Sequence, residues 1–236
     1  MTRTALWLSI ADTLASEIAE GIFRPGDQLP TEAKLSARFG VNRHTVRHAI
    51  SEMAKAGTVH SRRGAGVFVT TTPADYPLGR RVRFHQNIAD TGRTPSRRIS
   101  RKETRACTER EAEALSLDAG SPVHVVEGVS LADGQPLAAF QSVMPAGRFP
   151  DLLAQLEKSA SVTAALAACG VSDYTRASTR ITAKLASPLL ALSLQVPAGS
   201  PVLRSVAINV DAEGRPVEYG TTWFAGDRVT ITVAPD

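Results

Sequence analysis

The first seventy residues carry the apolar pattern of short amphipathic helices. Apolar residues recur at helical spacing at Leu6, Ile10, Leu14 and Ile18. Gly21 then supplies a stop signal, and a turn-rich loop, "FRPGDQLP", follows. Thr31 is an N-cap residue for a second helix, which has Glu32 in its first turn and ends at Gly40. The pattern therefore predicts two helices separated by an irregular loop.

A third helix is predicted to begin near Asn42, another N-cap residue. One arc of this helix is apolar, formed by Val46, Ala49, Ile50 and Met53. Another arc is polar and basic, formed by Arg43, His44, Arg47, His48 and Ser51. Because a short turn at Gly40 separates the second and third helices, they predict a helix-turn-helix. The N-terminal end of the second helix of such a motif reaches base edges in the major groove, and arginine pairs well with guanine or phosphate there.

A hairpin is predicted directly after the third helix, because "TVHSRRGAGVFV" reads as two short strands around Gly64 and Gly66. Arg62 and Arg63 lie at its tip. A basic hairpin beside a recognition helix is typical of a winged helix-turn-helix that contacts duplex DNA. The candidate DNA-contacting residues are Thr31, Asn42, Arg43, His44, Thr45, Arg47, Arg62, Arg63 and Gly64.

The second half of the chain repeats itself. Three pairs of segments occur in the same order: "RISRK" (98–102) and "RITAK" (180–184), "ALSLDAGSPV" (114–123) and "ALSLQVPAGSPV" (191–202), "LADGQPL" (131–137) and "DAEGRPV" (211–217). Each copy reads as strand, short helix, strand, tight turn, strand. We therefore expect an α+β domain, built on one mostly antiparallel sheet. The predicted organisation is a DNA-binding domain at 1–70, a linker at 71–80 and an effector-binding and dimerisation domain at 81–236.

The distribution of charge supports a polyanionic partner. Residues 80–110 contain ten Lys or Arg and three Asp or Glu, whereas residues 111–236 contain eight and thirteen. The chain has no apolar run of about 18 residues, so no membrane span is expected. The two cysteines, Cys107 and Cys169, fit reduced thiols in a cytoplasmic protein better than a disulfide framework or a metal cluster.

Recognisable catalytic machinery is missing from the sequence, so no enzyme activity, cofactor or metal is predicted. His44 and His48 have the spacing of the zinc ligands in "HExxH", but Thr45 occupies the position that needs glutamate. His85 and His124 are isolated along the chain. No Ser-His-Asp set and no glycine-rich nucleotide loop accompanies them.

A family resemblance begins with the segments "GDQLPTEAKLSARFGVNRHTVRHAI" and "RRGAGVFV". From about residue 6 to residue 69 the chain resembles the winged helix-turn-helix of GntR-family transcriptional regulators. The resemblance places four residues on the reading helix and two in the wing: Arg43, His44, Thr45 and Arg47, then Arg63 and Gly64. Many members have an arginine directly after a "PSE"-like segment, where this chain has Ala33. The resemblance therefore implies one missing DNA contact and a different operator.

The second half resembles the chorismate lyase-like sensor domain, called UTRA, of the HutC subfamily. The segments "VNRHTVRHAI", "DYPLGRRVRFHQNIADTG", "RASTRITAK" and "VEYG" are similar to regulators of phosphonate utilisation, the PhnF type. The resemblance implies a dimeric repressor that a small anionic effector releases from a palindromic double-stranded DNA operator. Three alternatives remain open: a sensor of a non-phosphonate metabolite, a chorismate lyase-like enzyme and an architectural DNA binder. The sequence does not decide between repression and activation.

A phosphonate or phosphorylated effector needs an anion site. We expect one at a short helix over Phe84–Ala89, where arginines precede exposed backbone amides. Glu218 and Tyr219, on a late strand, would bind an amine or hydroxyl of the ligand. The candidate effector residues are Arg81, Arg83, Phe84, Asn87, Arg180, Glu218 and Tyr219. Glu127 occupies a strand where sugar-phosphate sensors commonly carry arginine, which suggests a partly cationic ligand such as an aminoalkylphosphonate.

Overall fold

A computed structural model describes residues 4–62, 66–70 and 73–233 of the chain. The chain divides into two compact units, Met1–Thr72 and Pro73–Asp236. The first unit combines three helices with a two-stranded hairpin, and the second contains a large antiparallel sheet with helices packed on it. The predicted α+β class is therefore confirmed.

The first unit has the predicted order of elements, namely α1 (Thr4–Ala19), α2 (Glu32–Phe39), α3 (Arg43–Lys55), β1 (Val59–Arg62) and β2 (Gly66–Val69). β1 and β2 pair antiparallel. The cap of α2 is Thr31, whose hydroxyl accepts a hydrogen bond from the Lys34 amide at 3.4 Å. Gly40 ends α2 in the left-handed conformation with φ 64°, which glycine adopts without strain.

The apolar arcs of these helices meet in one core. Its buried members include Ile10, Leu14, Leu29, Leu35, Val46, Ala49, Ile50, Met53, Val59 and Val69. Burial of each large aliphatic side chain contributes about 1.5–3 kcal/mol to folding. Because the apolar arc of α3 packs in this core, its basic arc lies at the surface.

The second unit contains thirteen further elements among the described residues. They are β3 (Ala74–Pro77), α4 (Phe84–Ala89), β4 (Pro95–Ala106), α5 (Glu109–Leu115), β5 (Pro122–Ala132), β6 (Gln135–Pro145), α6 (Leu152–Lys158), α7 (Val162–Ala168), β7 (Thr175–Leu185), α8 (Pro188–Leu194), β8 (Pro201–Val210), β9 (Pro216–Ala225) and β10 (Val229–Thr232). The sheet order is β4-β5-β6-β9-β8-β7, with every neighbouring pair antiparallel. The internal repeat corresponds to β4-α5-β5-β6 and β7-α8-β8-β9.

Part of the predicted linker forms a strand in the second unit. Residues 74–77, within the segment 71–80, are β3 and pair parallel with β10. The strand forms because Ala74 and Tyr76 alternate with exposed residues and are buried in a core that includes Phe84 and Phe224. Residues 73–80 of the predicted linker thus lie within the second compact unit.

Helices pack on both faces of the six-stranded sheet. On one face, termed the α7 face, Val126 and Phe140 share a core with Leu152 of α6 and Leu166 of α7. On the opposite face, termed the α5 face, α5 packs on β5 and β6, and α8 packs on a separate cluster that includes residues of β6, β8 and β9. Side chains that alternate along one strand therefore enter different environments.

Two bulges in the edge strands change which face a side chain meets. The register of β4 shifts between Ile99 and Arg101, and that of β7 shifts between Arg176 and Ser178. An extra residue in one strand reverses the alternation beyond it. Arg176 therefore lies on the α7 face, whereas Arg180, four residues later, lies on the α5 face.

Candidate functional site

The basic surface of the first unit lies at the start of α3. Arg43, His44 and Arg47 are exposed there. The side-chain oxygen of Asn42 accepts hydrogen bonds from the amide of Thr45 at 2.9 Å and from its hydroxyl at 3.0 Å. Asn42 and Thr45 thus fix the first turn of the helix that presents these exposed side chains.

Arg47 is held by a carboxylate on the preceding helix. Its Nε donates to Glu32 Oε1 at 3.0 Å, and its Nη2 donates to Glu32 Oε2 at 2.7 Å. These hydrogen bonds raise the pKa of Arg47 and lower the pKa of Glu32. A bidentate pair of this kind fixes the plane of the guanidinium as well as its position.

The structure describes the two strands of the wing, but residues 63–65 at its tip lie outside the described residues. β1 and β2 pair from Val59–Val69 to Arg62–Gly66. Arg63 and Gly64 lie outside the described residues, and Arg62 is described only through its backbone. The DNA-contacting roles of these three residues therefore stay predictions.

A small polar cavity lies on the α7 face of the second unit. Its volume is about 70 Å³, and side chains from β4, β6, β7, β8 and β9 line it together with residues of α4 and α7. The charged residues on its wall are Arg97, Arg176 and Glu218. A cavity with convergent polar groups is the usual form of a small-molecule site.

Arg97 has the buried side-chain donor of this wall that makes no hydrogen bond among the described residues. Its guanidinium carbon lies 4.7 Å from the ring centroid of Phe140 and 5.5 Å from that of Phe84. Its Nε is buried and has no hydrogen-bond partner among the described residues. Because an unpaired buried donor costs about 1–3 kcal/mol, this nitrogen is suited to bind an acceptor that enters the cavity.

Asn209 links the two other charged residues of the cavity. Its side-chain oxygen accepts a hydrogen bond from Arg176 Nε at 3.3 Å, and its side-chain nitrogen donates to Glu218 Oε2 at 2.7 Å. Glu218 Oε1 accepts from the hydroxyl of Ser142 at 2.5 Å. The carboxylate is buried, and no described Lys or Arg nitrogen lies within 4.0 Å of it.

Two tyrosines complete the wall of the cavity. Burial raises the pKa of Tyr76 to about 12 and also raises the pKa of Tyr174. Both side chains therefore keep their hydroxyl proton at neutral pH. The Tyr174 hydroxyl is hydrogen-bonded to the Thr163 hydroxyl at 2.8 Å.

The structure separates the predicted effector residues into groups. Phe84 and Glu218 line the cavity. Arg180 and Tyr219 lie on the α5 face, in an open groove of about 540 Å³ that also contains Arg110 and Arg204. The β7 bulge and the alternation of β9 thus place Arg180 and Tyr219 on the face of the sheet opposite the cavity, and the effector roles of all four residues stay predictions.

The arginines that precede α4 do not line the cavity. Arg81 and Arg83 share the carboxylate of Asp173, with Nη2–oxygen distances of 2.6 and 3.1 Å, and Arg83 also donates to the carbonyl of Tyr174 at 2.8 Å. Asn87 is buried and donates to the carbonyl of Pro77 at 3.1 Å. Arg81, Arg83 and Asn87 thus make contacts within the protein, and the phosphate site at Phe84–Ala89 stays a prediction.

Glu127 is also directed away from the cavity. Its Oε1 accepts a hydrogen bond from Gln141 Nε2 at 2.7 Å. Gln141 stands between Phe140 and Ser142, which both face the cavity, so it points to the α5 face. The expected influence of Glu127 on the ligand is therefore not supported, and the carboxylate inside the cavity is that of Glu218.

Comparisons with known proteins agree with both units. Residues 6–69 match the model of "Bacterial regulatory proteins, gntR family", and residues 90–230 match that of the UTRA domain. An uncharacterized HTH-type transcriptional regulator of Rhizobium meliloti (strain 1021) is 36% identical over 230 residues, covering 97% of this chain and 94% of the relative. The "Probable transcriptional regulator PhnF" of Escherichia coli (strain K12) is 31% identical over 225 residues, covering 95% of this chain and 92% of the relative.

A solved structure has the same fold. The crystal structure of PhnF from Mycobacterium smegmatis is similar with a TM-score of 0.68 and 26% identity, covering 96% of this chain and 99% of that one. No helix within the described ranges is long and apolar enough to cross a membrane. The same residues contain no group of three or more His, Cys, Asp or Glu side chains arranged to hold a metal ion.

Proposed function

Because this chain belongs to the GntR family of bacterial regulatory proteins and carries a UTRA domain, we propose that it is a ligand-responsive transcriptional repressor. It acts in the cytoplasm as a homodimer without enzyme activity. It controls genes for the uptake or utilisation of phosphonates or organophosphates. A small anionic effector releases it from a palindromic operator.

The surface of α3 supports the DNA-binding part of the proposal. Arg43, His44 and Arg47 are exposed near the N-terminal end of the helix, the end that reaches base edges in a helix-turn-helix. Exposed arginine recognises guanine through its planar donor pair and also binds phosphate. Two copies in a dimer would read two half-sites about one helical turn apart.

The single observation that carries the effector part is the unpaired buried Nε of Arg97 in the cavity of the second unit. A second guanidinium, that of Arg176, lines the same cavity. Arginine pairs bind phosphate-like groups through several charge-assisted hydrogen bonds. The similarity of the chain to PhnF proteins supports a phosphonate or phosphate ester as the effector class.

Release of DNA requires the effector to discriminate between two states of the protein. An effector shifts the equilibrium only if it binds the arrangement that cannot hold the operator more tightly than the one that can. The anion in the cavity would supply that difference by satisfying Arg97. An architectural DNA binder would lack this response.

Footprinting of the DNA upstream of the gene tests the proposal. We expect a protected palindromic site that disappears when methylphosphonate or another phosphonate is added at constant salt, because phosphate contacts make affinity salt-dependent. A footprint that no anionic ligand alters would favour an architectural role. If phosphorus NMR shows that the protein converts the ligand into a product, the enzyme alternative is favoured.

A further inference from the structure

We propose that the cavity binds a small zwitterion, with its anionic group between Arg97 and Arg176 and its ammonium group on Glu218. This inference rests on the proposed function, because it specifies the effector that the same cavity accepts. Three charged side chains and one bridging amide carry it.

The cationic part of the cavity contains a buried hydrogen-bond donor that no described residue uses. Arg97 Nε has no partner among the described residues, and the faces of Phe84 and Phe140 offer its guanidinium only ring contacts. Arg176 uses its Nε to bond Asn209. An oxyanion that enters between the two guanidinium groups would receive donors from both.

The anionic part of the cavity is the carboxylate of Glu218, which can accept further hydrogen bonds. Each oxygen of Glu218 accepts one hydrogen bond from a neutral donor, the Ser142 hydroxyl or the Asn209 amide. A carboxylate has about four acceptor positions, so further donors can be accommodated. A buried carboxylate with only neutral partners is costly, and an ammonium group offsets that cost.

The side chain of Asn209 sets the two parts next to each other. Its oxygen faces Arg176 and its nitrogen faces Glu218, with distances of 3.3 and 2.7 Å. The cation and the carboxylate are therefore separated by a single amide group. A ligand that bridges them needs only a short chain between its two charged ends.

Charge and size define the ligand further. Two guanidinium groups and one carboxylate leave the wall with one excess positive charge, which a dianionic phosphonate carrying one ammonium group neutralises. The cavity volume is about 70 Å³, whereas sites for larger organic ligands span about 300–1,000 Å³. A compact aminoalkyl oxyanion therefore fits this cavity better than a sugar phosphate.

Two ligands of nearly equal shape test whether the cavity prefers a zwitterion to a simple anion. 2-Aminoethylphosphonate and propylphosphonate differ by an ammonium group in place of a methyl group. Calorimetric titration of the full chain should show the amine binding about 10- to 100-fold more tightly, the range expected for a charge-assisted hydrogen bond. Equal affinities would overturn the zwitterion while leaving an anion-controlled repressor intact.

Matched variants assign the preference to one carboxylate. Glu218→Gln should lose the preference for the amine and retain the affinity for propylphosphonate. Glu127→Gln changes a carboxyl on the other face of the sheet and should keep the preference. A preference that survives Glu218→Gln would overturn the assignment, and the comparison of ligands on the unmodified protein remains decisive if that variant does not fold.

The outcome also separates this inference from the function on which it rests. If neither phosphonate binds, the zwitterion is wrong. If, in addition, no anionic compound releases the operator in a footprint, the proposed function is wrong as well. Release by a phosphonate that lacks an amine, with no gain from adding one, contradicts only the zwitterion.

Discussion

The guanidinium of Arg97 lies over the ring of Phe140, 4.7 Å from its centroid, although β5 separates the strands that carry these two residues. On β5, Gly128 pairs with Phe140 and Ser130 pairs with Arg97. Small residues at both positions leave space above β5 for a long side chain. The placement of the arginine thus depends on two residues that carry no charge.

Gly128→Ala should disturb both the fold and the cavity. A Cβ at this position would lie 2.3 Å from the carbonyl oxygen of Arg98 and 3.0 Å from Cε1 of Phe140. We expect a loss of about 1–3 kcal/mol in the free energy of unfolding, as for other overpacked sites. Gly147→Ala is the control, because a Cβ there has no atom within 4 Å. Equal denaturation midpoints for the two variants would contradict this account.

Arg97→Met should separate stability from ligand response. The substitution keeps an extended side chain beside Phe140 but removes the buried unpaired donor, so the ligand-free variant should be as stable as the parent or about 1 kcal/mol more stable. Added phosphonate should raise the melting temperature of the parent protein and of the control variant, but not that of Arg97→Met. Arg81→Met, at an exposed ion pair outside the cavity, is the control. A ligand-induced shift that persists in Arg97→Met would exclude this arginine from the site.

Arg47→Ala should weaken operator binding about 5- to 150-fold, the range expected for one lost arginine contact. Glu32→Gln should have a smaller effect in the same direction, because it removes the charged partner that orients the guanidinium. Lys55→Ala, at the far end of α3, serves as the control. Fluorescence anisotropy at several salt concentrations would distinguish a phosphate contact, which lowers the salt slope by about 1, from a base contact. Unchanged affinity for Arg47→Ala would place the reading surface elsewhere.

Asp211 should make stability depend on pH in acid. Burial alone would raise the pKa of its carboxyl, but the Arg215 amide and the guanidinium groups of Arg148 and Arg215 lower it to about 2. Because the folded-state pKa lies below the ordinary value of 3.8, the carboxylate contributes stability above about pH 4, and this contribution is lost as the pH falls towards 2. Denaturation at several pH values should show a weaker acid dependence for Asp211→Asn than for the control Asp118→Asn. Identical profiles would contradict the assignment.

Local signals in the sequence were sufficient for the first unit. Thr31 and Asn42 cap the helices they were expected to cap, and Gly40 ends α2. The repeat predicted the strand order within each copy, since hairpin turns join neighbouring strands. These features depend on residues a few positions apart, so pattern alone could locate them.

The cavity depended on features that the pattern did not contain. Arg176 and Arg180 have the same parity along β7, and only the bulge before Ser178 places them on different faces. Arg180 was named as a candidate from the sequence and Arg176 was not, because no local pattern reveals the bulge. Asp173, about ninety residues further along the chain, accepts hydrogen bonds from Arg81 and Arg83. No local signal in the sequence indicates these contacts.

The proposed function requires that an anion bound at Arg97 release the protein from its operator. Anisotropy of the full chain on labelled upstream DNA, at one salt concentration, tests it when 2-aminoethylphosphonate is titrated into the complexes of the parent protein and of Arg97→Met. We expect both proteins to bind the DNA with equal affinity, and only the parent complex to dissociate. Dissociation of both complexes, or of neither, would contradict the claim.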